Sequence, residues 1–291
     1  TEQLSPLSSR PAYTETENEL TVKANKRTFI FSKKDGQLKG VSVDNRKINF
    51  ANGPRFIGAR RADRSLDQFY NHDDEKAKEK DRTYSEFPDA AVFTKLDVKQ
   101  DGGDLIVTAN YKLGNLDKAQ WTINPSGDLA LDYTYNFSGV VDLMGIRFDY
   151  PEDQVISKRW LGAGPYRVWQ NRIHGTQYDV WENDYNDPIP GETFTYPEFK
   201  GYFGDVSWMN IQTKEGTINL TNETPDAYIG VYQPRDGRDR LLYTLPESGI
   251  SVLNVIPPVR NKVNSTDLCG PSSQPKWVNG PQTGRVIFRF M

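Results

Sequence analysis

The residues best suited to chemistry are concentrated between Arg159 and Trp208. This stretch holds four of the six tryptophans and one of the two histidines, together with several charged and amide side chains. A sugar stacks its C–H faces on flat rings, and its hydroxyl groups hydrogen-bond to charged or amide partners. The composition therefore predicts a carbohydrate-binding surface. Its candidate binding residues are Arg167, Trp169, Asn171, Arg172, His174, Trp181, Glu182 and Glu198.

Acidic residues in the same stretch raise the question of hydrolysis. Cleavage of a glycosidic bond usually takes two carboxylates, about 5 to 5.5 Å apart for retention or about 6.5 to 9.5 Å apart for inversion. The spacing along the sequence pairs none of the candidates, and it also lacks the pattern of an EF-hand calcium loop. We therefore predict neither a catalytic residue nor a metal site in this chain. The carboxylates considered are Asp179, Glu182, Asp184, Asp187 and Glu198.

The two histidines, His72 and His174, leave a second enzymatic interpretation open. A mutarotase acts on the anomeric centre of a free sugar by general acid and base catalysis. In this interpretation His174 would work with Glu182 or Glu198. Neither histidine stands in a recognisable mutarotase motif, and a histidine beside a glycine is more often a structural or surface residue.

Short strands are the elements that must position these residues. Residues 129–137 alternate between large apolar side chains and smaller or polar ones, which is the period of a half-buried strand. Turn residues separate several such segments, and no amphipathic helix of three or more turns is evident. The pattern predicts an all-β fold, a large antiparallel β-sandwich. No fixed repeat favours a propeller or a solenoid.

The chain is predicted to contain one domain and a short tail. Residues 1–13 are rich in Ser and Pro without apolar periodicity, so we assign residues 1–19 to a linker or tail. Residues 20–291 form the predicted single domain, with ordered structure beginning at a strand over residues 28–31. The highly charged segment Asp63–Arg82 is predicted to be a solvated surface loop, with a binding loop as the alternative.

Composition argues against several classes of function. The net charge of -3 provides no basic surface for a nucleic acid. The single cysteine, Cys269, can form no internal disulfide and no thiolate cluster for zinc. No apolar run approaches the roughly 20 residues that span a bilayer. We therefore expect no nucleic-acid partner, no membrane span and no cofactor.

Three segments carry a resemblance to a known family. They are Trp160-x-Gly162-x-Gly164-Pro165 ending in Asn171-Arg172, Asn52-Gly53-Pro54 with Arg61-Ala62-Asp63, and Gly270-Pro-Ser-Ser-Gln-Pro-Lys-Trp277. The first resembles the Trp-x-Gly-x-Gly-Pro-x-Glu-x-Tyr-x-Asp-Arg signature in the C-terminal, small-chain domain of the β-galactosidases of glycoside hydrolase family 2. The second is similar to the segment that opens that domain, and the third to its late glycine-rich loop. The order of the segments also agrees with the family.

The resemblance implies a supersandwich related to galactose mutarotase, packed beside an upstream catalytic barrel of the same polypeptide. It also implies that Trp277, in the late loop, helps to form the sugar-binding rim of the barrel. Three signature positions differ, because Arg167 replaces the family's Glu, Trp169 its Tyr and Asn171 its Asp. An acceptor-only carboxylate has thus become a donor-only guanidinium, which indicates a divergent branch rather than a plain lactose-cleaving enzyme.

The function implied by the resemblance is that of a non-catalytic carbohydrate-binding domain. It would complete the active site of a family 2 glycoside hydrolase that acts on oligo- or polysaccharides, and it would support oligomeric assembly. Two alternatives stay open, a stand-alone enzyme similar to aldose mutarotases and a stand-alone carbohydrate-binding module. Relatives that degrade polysaccharides favour a periplasmic or secreted location.

Overall fold

Strands make up nearly all of the regular structure. The computed structural model describes residues 10–61, 84–185, 201–232, 246–258 and 270–291. Within these ranges 19 strands and two short 3-10 turns, Glu152–Gln154 and Pro271–Ser273, occur. The strands are β1 Ala12–Glu15, β2 Glu19–Ala24, β3 Arg27–Ser32, β4 Leu38–Val43, β5 Arg46–Ile48, β6 Ala51–Arg61, β7 Tyr84–Glu86, β8 Val92–Asp101, β9 Asp104–Lys112, β10 Leu116–Ile123, β11 Leu129–Val141, β12 Leu143–Asp149, β13 Val155–Gly164, β14 Gln177–Asp184, β15 Trp208–Thr213, β16 Gly216–Asn222, β17 Tyr228–Val231, β18 Ile250–Val255 and β19 Lys276–Phe290.

The strands form two sheets, in which neighbouring strands pair antiparallel. The ten-stranded sheet has the order β1-β2-β3-β4-β6-β12-β18-β17, with β5 beside β4 and β7 beside β6. The nine-stranded sheet has the order β14-β13-β15-β16-β19-β11-β10-β9-β8. The prediction of an all-β, large antiparallel sandwich is therefore confirmed. Among the described residues, no helix has the length and apolar character needed to cross a bilayer.

One hydrophobic core lies between the two sheets. On β11 the side chains of Leu131, Tyr133 and Tyr135 are buried, while the residues between them are more exposed, as the alternation of apolar residues predicts. Phe148 from the ten-stranded sheet meets Phe288 from the nine-stranded sheet with ring centroids 5.3 Å apart. Large aromatic side chains bury the most apolar area per residue, so such contacts hold the sheets together.

Ordered structure begins earlier than the predicted strand at residues 28–31. β1 lies within the segment assigned to the tail and pairs with β2, Ala12 standing opposite Lys23. The four side chains of β1 are all exposed, so this strand lacks the alternation from which a half-buried strand is predicted. The charged segment Asp63–Arg82 and Cys269 lie outside the described residues.

Candidate functional site

The glycine-rich motif at the end of β13 is required by close packing. A Cβ atom on Gly164 would overlap the indole of Trp181, and one on Gly162 would come within 3.0 Å of the carbonyl oxygens of Gly204 and Asp205. The separation at Gly164 is shorter than real Cβ contacts, and the one at Gly162 is tighter than most of them and involves backbone atoms, which cannot easily move away. The glycines therefore let β13 approach its neighbours closely.

Trp160, the first residue of the motif, belongs to the core. It is fully buried, and its indole Nε1–H donates to the carbonyl oxygen of Ala163 at 3.0 Å. Its ring meets Phe203 edge to face at 4.8 Å. The polar atom of this large ring is thus satisfied without water, which fixes the turn at the end of β13.

A second, smaller hydrophobic cluster holds the middle of the signature segment, residues 160–172. Trp169 is fully buried there and meets Tyr202 edge to face at 5.7 Å. The cluster also contains Ile57 and Leu143 of the ten-stranded sheet. Val168 and Tyr202 exchange backbone hydrogen bonds of 2.7 and 2.9 Å. Because a fully buried ring offers no face to a sugar, the packing assigns Trp169 a bracing position.

The signature segment is hydrogen-bonded to the late loop. The side-chain amide of Gln170 donates to the carbonyl oxygens of Ser272 at 3.0 Å and of Gln274 at 2.7 Å. Asn171 Nδ2 donates to Ser273 Oγ at 3.3 Å. The backbone of Gln170 donates to the carbonyl oxygen of Pro257 at 3.1 Å. The three side-chain bonds fix the position of residues 272–274, which lead directly into β19.

Trp277 stands at the start of β19 with its side chain exposed. It pairs with Val140 of β11, and the next residue, Val278, packs against the main core. Successive side chains of a strand point to opposite faces, so the indole of Trp277 points away from the core. Its exposed fraction is 71%, whereas the other five tryptophans are buried or half-buried. Ser138 Oγ donates to Asn279 Oδ1 at 2.7 Å on the same outer face.

The remaining candidate binding residues lie in different environments. Arg167 is buried, with its guanidinium carbon 5.8 Å from the centroid of the Phe203 ring, a cation–π distance. Trp181 is half-buried on β14 and donates from Nε1 to the carbonyl oxygen of Gln177 at 3.1 Å. The other positions are either solvent-accessible or not described. Arg172, His174 and Glu182 are exposed, Asn171 is half-buried, and Glu198 lies outside the described residues.

The residues considered for catalysis or for metal binding lie partly on β14 and partly outside the described residues. Asp179, Glu182 and Asp184 are exposed on the single strand β14. His72, Asp187 and Glu198 lie outside the described residues. In the part of the chain that the structure describes, no group of three His, Cys, Asp or Glu side chains is placed to hold a metal ion.

Sequence reasoning missed Gln170, which joins the signature to the late loop. It occupies an unspecified position of the motif, so the resemblance gave no reason to select it. A side-chain amide carries two N–H donors, which is the property that lets one residue satisfy two carbonyl groups. The partners are 102 and 104 residues away along the chain, beyond the reach of any local pattern.

Comparisons with known proteins agree with this architecture. The sequence matches a family model described as beta galactosidase small chain over residues 23–261. A search of curated proteins gave no match. Among solved structures, the chain is similar to a galactose 1-epimerase from Lactobacillus acidophilus NCFM, with a TM-score of 0.50, 8% identity, and coverage of 98% of this chain and 99% of that chain. A GalM/aldose epimerase homologue from C. elegans gives a TM-score of 0.41, 6% identity, and coverage of 97% and 99%. The first likeness shows the fold alone, a galactose mutarotase-like supersandwich as predicted.

Proposed function

This chain belongs to the beta galactosidase small chain family, and from that premise we propose that it is a non-catalytic domain completing the sugar site of a family 2 glycoside hydrolase. The catalytic barrel would lie upstream in the same polypeptide. The substrate would be an oligo- or polysaccharide. Family membership supports a carbohydrate-related role, and the enzyme context is our inference from it.

The observation that carries the proposal is the presentation of Trp277. The residue is 71% exposed, and its indole lies on the outer face of the nine-stranded sheet. Isolated exposed tryptophans are uncommon, because an exposed ring leaves a large apolar area in unfavourable contact with water. A flat, exposed ring is suited to stacking against the C–H face of a sugar.

The late loop, residues 270–277, is held by hydrogen bonds within this chain. Gln170 and Asn171 hold residues 272–274 by three side-chain hydrogen bonds. Preorganised groups bind more tightly because less conformational entropy is lost on binding. We therefore assign Gln170 and Asn171 to positioning and Trp277 to sugar contact.

The other candidate residues would have supporting roles. Arg167 and Trp169 would brace the segment, while Arg172 and His174 are exposed enough to line the polar rim. Trp181 and Glu182 on β14, and Glu198, complete the proposed binding set.

The kinetics of the full-length enzyme test this proposal. Replacement Trp277→Ala should lower kcat/KM on its best oligosaccharide about fivefold or more, since lost aromatic stacking corresponds to about 1 kcal/mol. Trp277→Phe keeps a flat ring and should lose less. Tyr13→Ala, at a 46% exposed aromatic residue of β1, is the control and should change nothing. An unaltered kcat/KM and product specificity in Trp277→Ala would refute the role of Trp277.

A further inference from the structure

A polar cavity of about 560 Å³ opens on the ten-stranded sheet, the sheet that does not carry Trp277. Its walls come from β4, β5, β6 and β12 and from the segments that follow β12 and precede β18. The side chains that matter for its chemistry are those of Lys39, Lys47, Asn52, Arg147, Asp149 and Ser248. No residue of the signature segment or of the late loop lines it.

One wall of the cavity is a fixed hydrogen-bond network. Asn52 donates from Nδ2 to Asp149 Oδ2 at 2.9 Å, and Lys39 Nζ donates to Asn52 Oδ1 at 3.3 Å. Arg55 pairs with the other oxygen of Asp149. Each polar group in this wall is therefore held in one orientation, as the walls of binding sites require.

Two residues that line the cavity also carry buried polar atoms without a hydrogen-bond partner in the described part of the chain. Ser248 is only 2% exposed, and its hydroxyl group has no hydrogen-bond partner among the described residues. The same holds for Nε of Arg147, whose Nη1 donates to the carbonyl oxygen of Glu247. Buried polar groups in proteins are ordinarily hydrogen-bonded. Both atoms are enclosed in the wall, so they would pair with a ligand only if their side chains turned towards the cavity.

A strained residue lines the same cavity. Tyr232 has a φ of 62°, whereas the φ of 53° at Asn52 is one that asparagine adopts readily. A bulky residue with positive φ is uncommon, and such outliers concentrate at ligand sites, where the surrounding structure holds them. Tyr232 is held at both ends, since its amide donates to the carbonyl oxygen of Gly249 at 2.6 Å and its hydroxyl to that of Tyr150 at 2.8 Å.

The charges of the lining select the class of ligand. Three cations, Lys39, Lys47 and Arg147, oppose three carboxylates, Asp149, Glu152 and Glu247, so the formal charge of the lining is zero. An anion would meet the carboxylates, and an apolar molecule would leave many polar groups without partners. A hydroxyl group both donates and accepts, so a neutral molecule with many hydroxyl groups can pair with cations and carboxylates together.

We propose that this cavity is a second saccharide site, which binds a neutral sugar residue on the sheet opposite to Trp277. The choice of a saccharide among neutral hydroxylated molecules rests on the proposed function. The site would give the domain a point of attachment for a saccharide besides Trp277.

Hydrogen–deuterium exchange of the native polypeptide tests the two sites separately. Lactose, cellobiose and xylobiose serve as neutral probes at about 50 mM, far above a millimolar Kd. Peptides that cover residues 46–52, 147–152 and 247–252 should gain protection with at least one probe. Protection of residues 270–280 reports on Trp277 instead. Protection of the cavity peptides alone would refute the role of Trp277 and support the second site.

Two variants establish whether the protection comes from the cavity. Arg147→Met should raise the concentration for half-maximal protection about tenfold, and Lys47→Ala about threefold or more, because hydrogen bonds to charged groups are the strong ones. Lys47 is exposed, so its replacement should leave the fold intact. Lys47→Ala therefore still tests the proposal if Arg147→Met does not fold. Lys23→Ala, at an exposed position of β2, is the matched control. No protection of the cavity peptides by any neutral probe, or equal protection by inorganic phosphate, would overturn the proposal.

Discussion

The connection between the signature segment and the late loop depends on Gln170 above all. This residue is 8% exposed, and its side chain donates two hydrogen bonds to carbonyl groups of the late loop. Gln170→Met keeps the length and the apolar packing of the side chain but removes both donors. Gln170→Glu keeps the shape but places carboxylate oxygens against the two carbonyl oxygens. The pair of variants separates hydrogen bonding from packing.

The expected loss of stability follows from the two bonds. Each contributes about 0.5 to 1.5 kcal/mol net, so Gln170→Met should lower the free energy of unfolding by about 1 to 3 kcal/mol. Gln170→Glu should cost more, because a buried carboxylate without a donor also loses its hydration. Both variants should increase hydrogen exchange in residues 270–277, since the loop loses its attachment.

Urea unfolding followed by circular dichroism measures the free-energy change, and exchange mass spectrometry measures the loop. Gln37→Met, at a half-buried glutamine remote in sequence from the loop, is the control. The attachment is refuted if Gln170→Met and Gln170→Glu both unfold within about 0.5 kcal/mol of the wild type, which is the range of ordinary surface substitutions. Unchanged exchange over residues 270–277 would refute it equally.

Three further predictions concern stability. Trp160→Ala should lower the free energy of unfolding by about 3 to 5 kcal/mol, and Trp160→Phe by less, as measured by urea unfolding. Gly164→Ala should cost about 1 to 3 kcal/mol through overpacking, whereas Gly40→Ala, with its nearest neighbour 3.7 Å from the added Cβ, should show no clash. The hydrogen bond from Arg289 holds the pKa of Asp128 below its usual value. The ionised Asp128 carboxylate should thus stabilise the fold above about pH 4, and this stabilisation should be lost as the pH falls through the lower pKa of the folded state. Asp128→Asn should abolish this part of the pH dependence of the free energy of unfolding.

Local sequence patterns predicted the class of fold but not every strand. The alternation over residues 129–137 identified β11, because burial of one face imposes a period of two residues. β1 was not predicted, because none of its side chains is buried and its sequence therefore shows no alternation. Pairing with β2 through the backbone, rather than apolar packing, gives it its structure.

The environment of the candidate site could be predicted only in part. Trp277 follows a loop without apolar periodicity, and its exposure agrees with that context. Trp169 also has polar neighbours in the sequence, yet it is buried because Ile57 and Leu143, more than twenty residues away, come together around it. The cavity wall joins Asn52 to Asp149 across 97 residues. Contacts of this kind depend on strand register, which sequence patterns of a few residues do not contain.

The central claim, that this domain completes the sugar site of a catalytic barrel in the same polypeptide, is tested most directly by the mass of the native product. An immunoblot of the source cells with an antibody against residues 1–291 measures it. We predict a band larger than the 33.2 kDa of this chain by at least a barrel of about 250 residues. A band at 33.2 kDa alone would contradict the claim and would favour a protein that acts by itself.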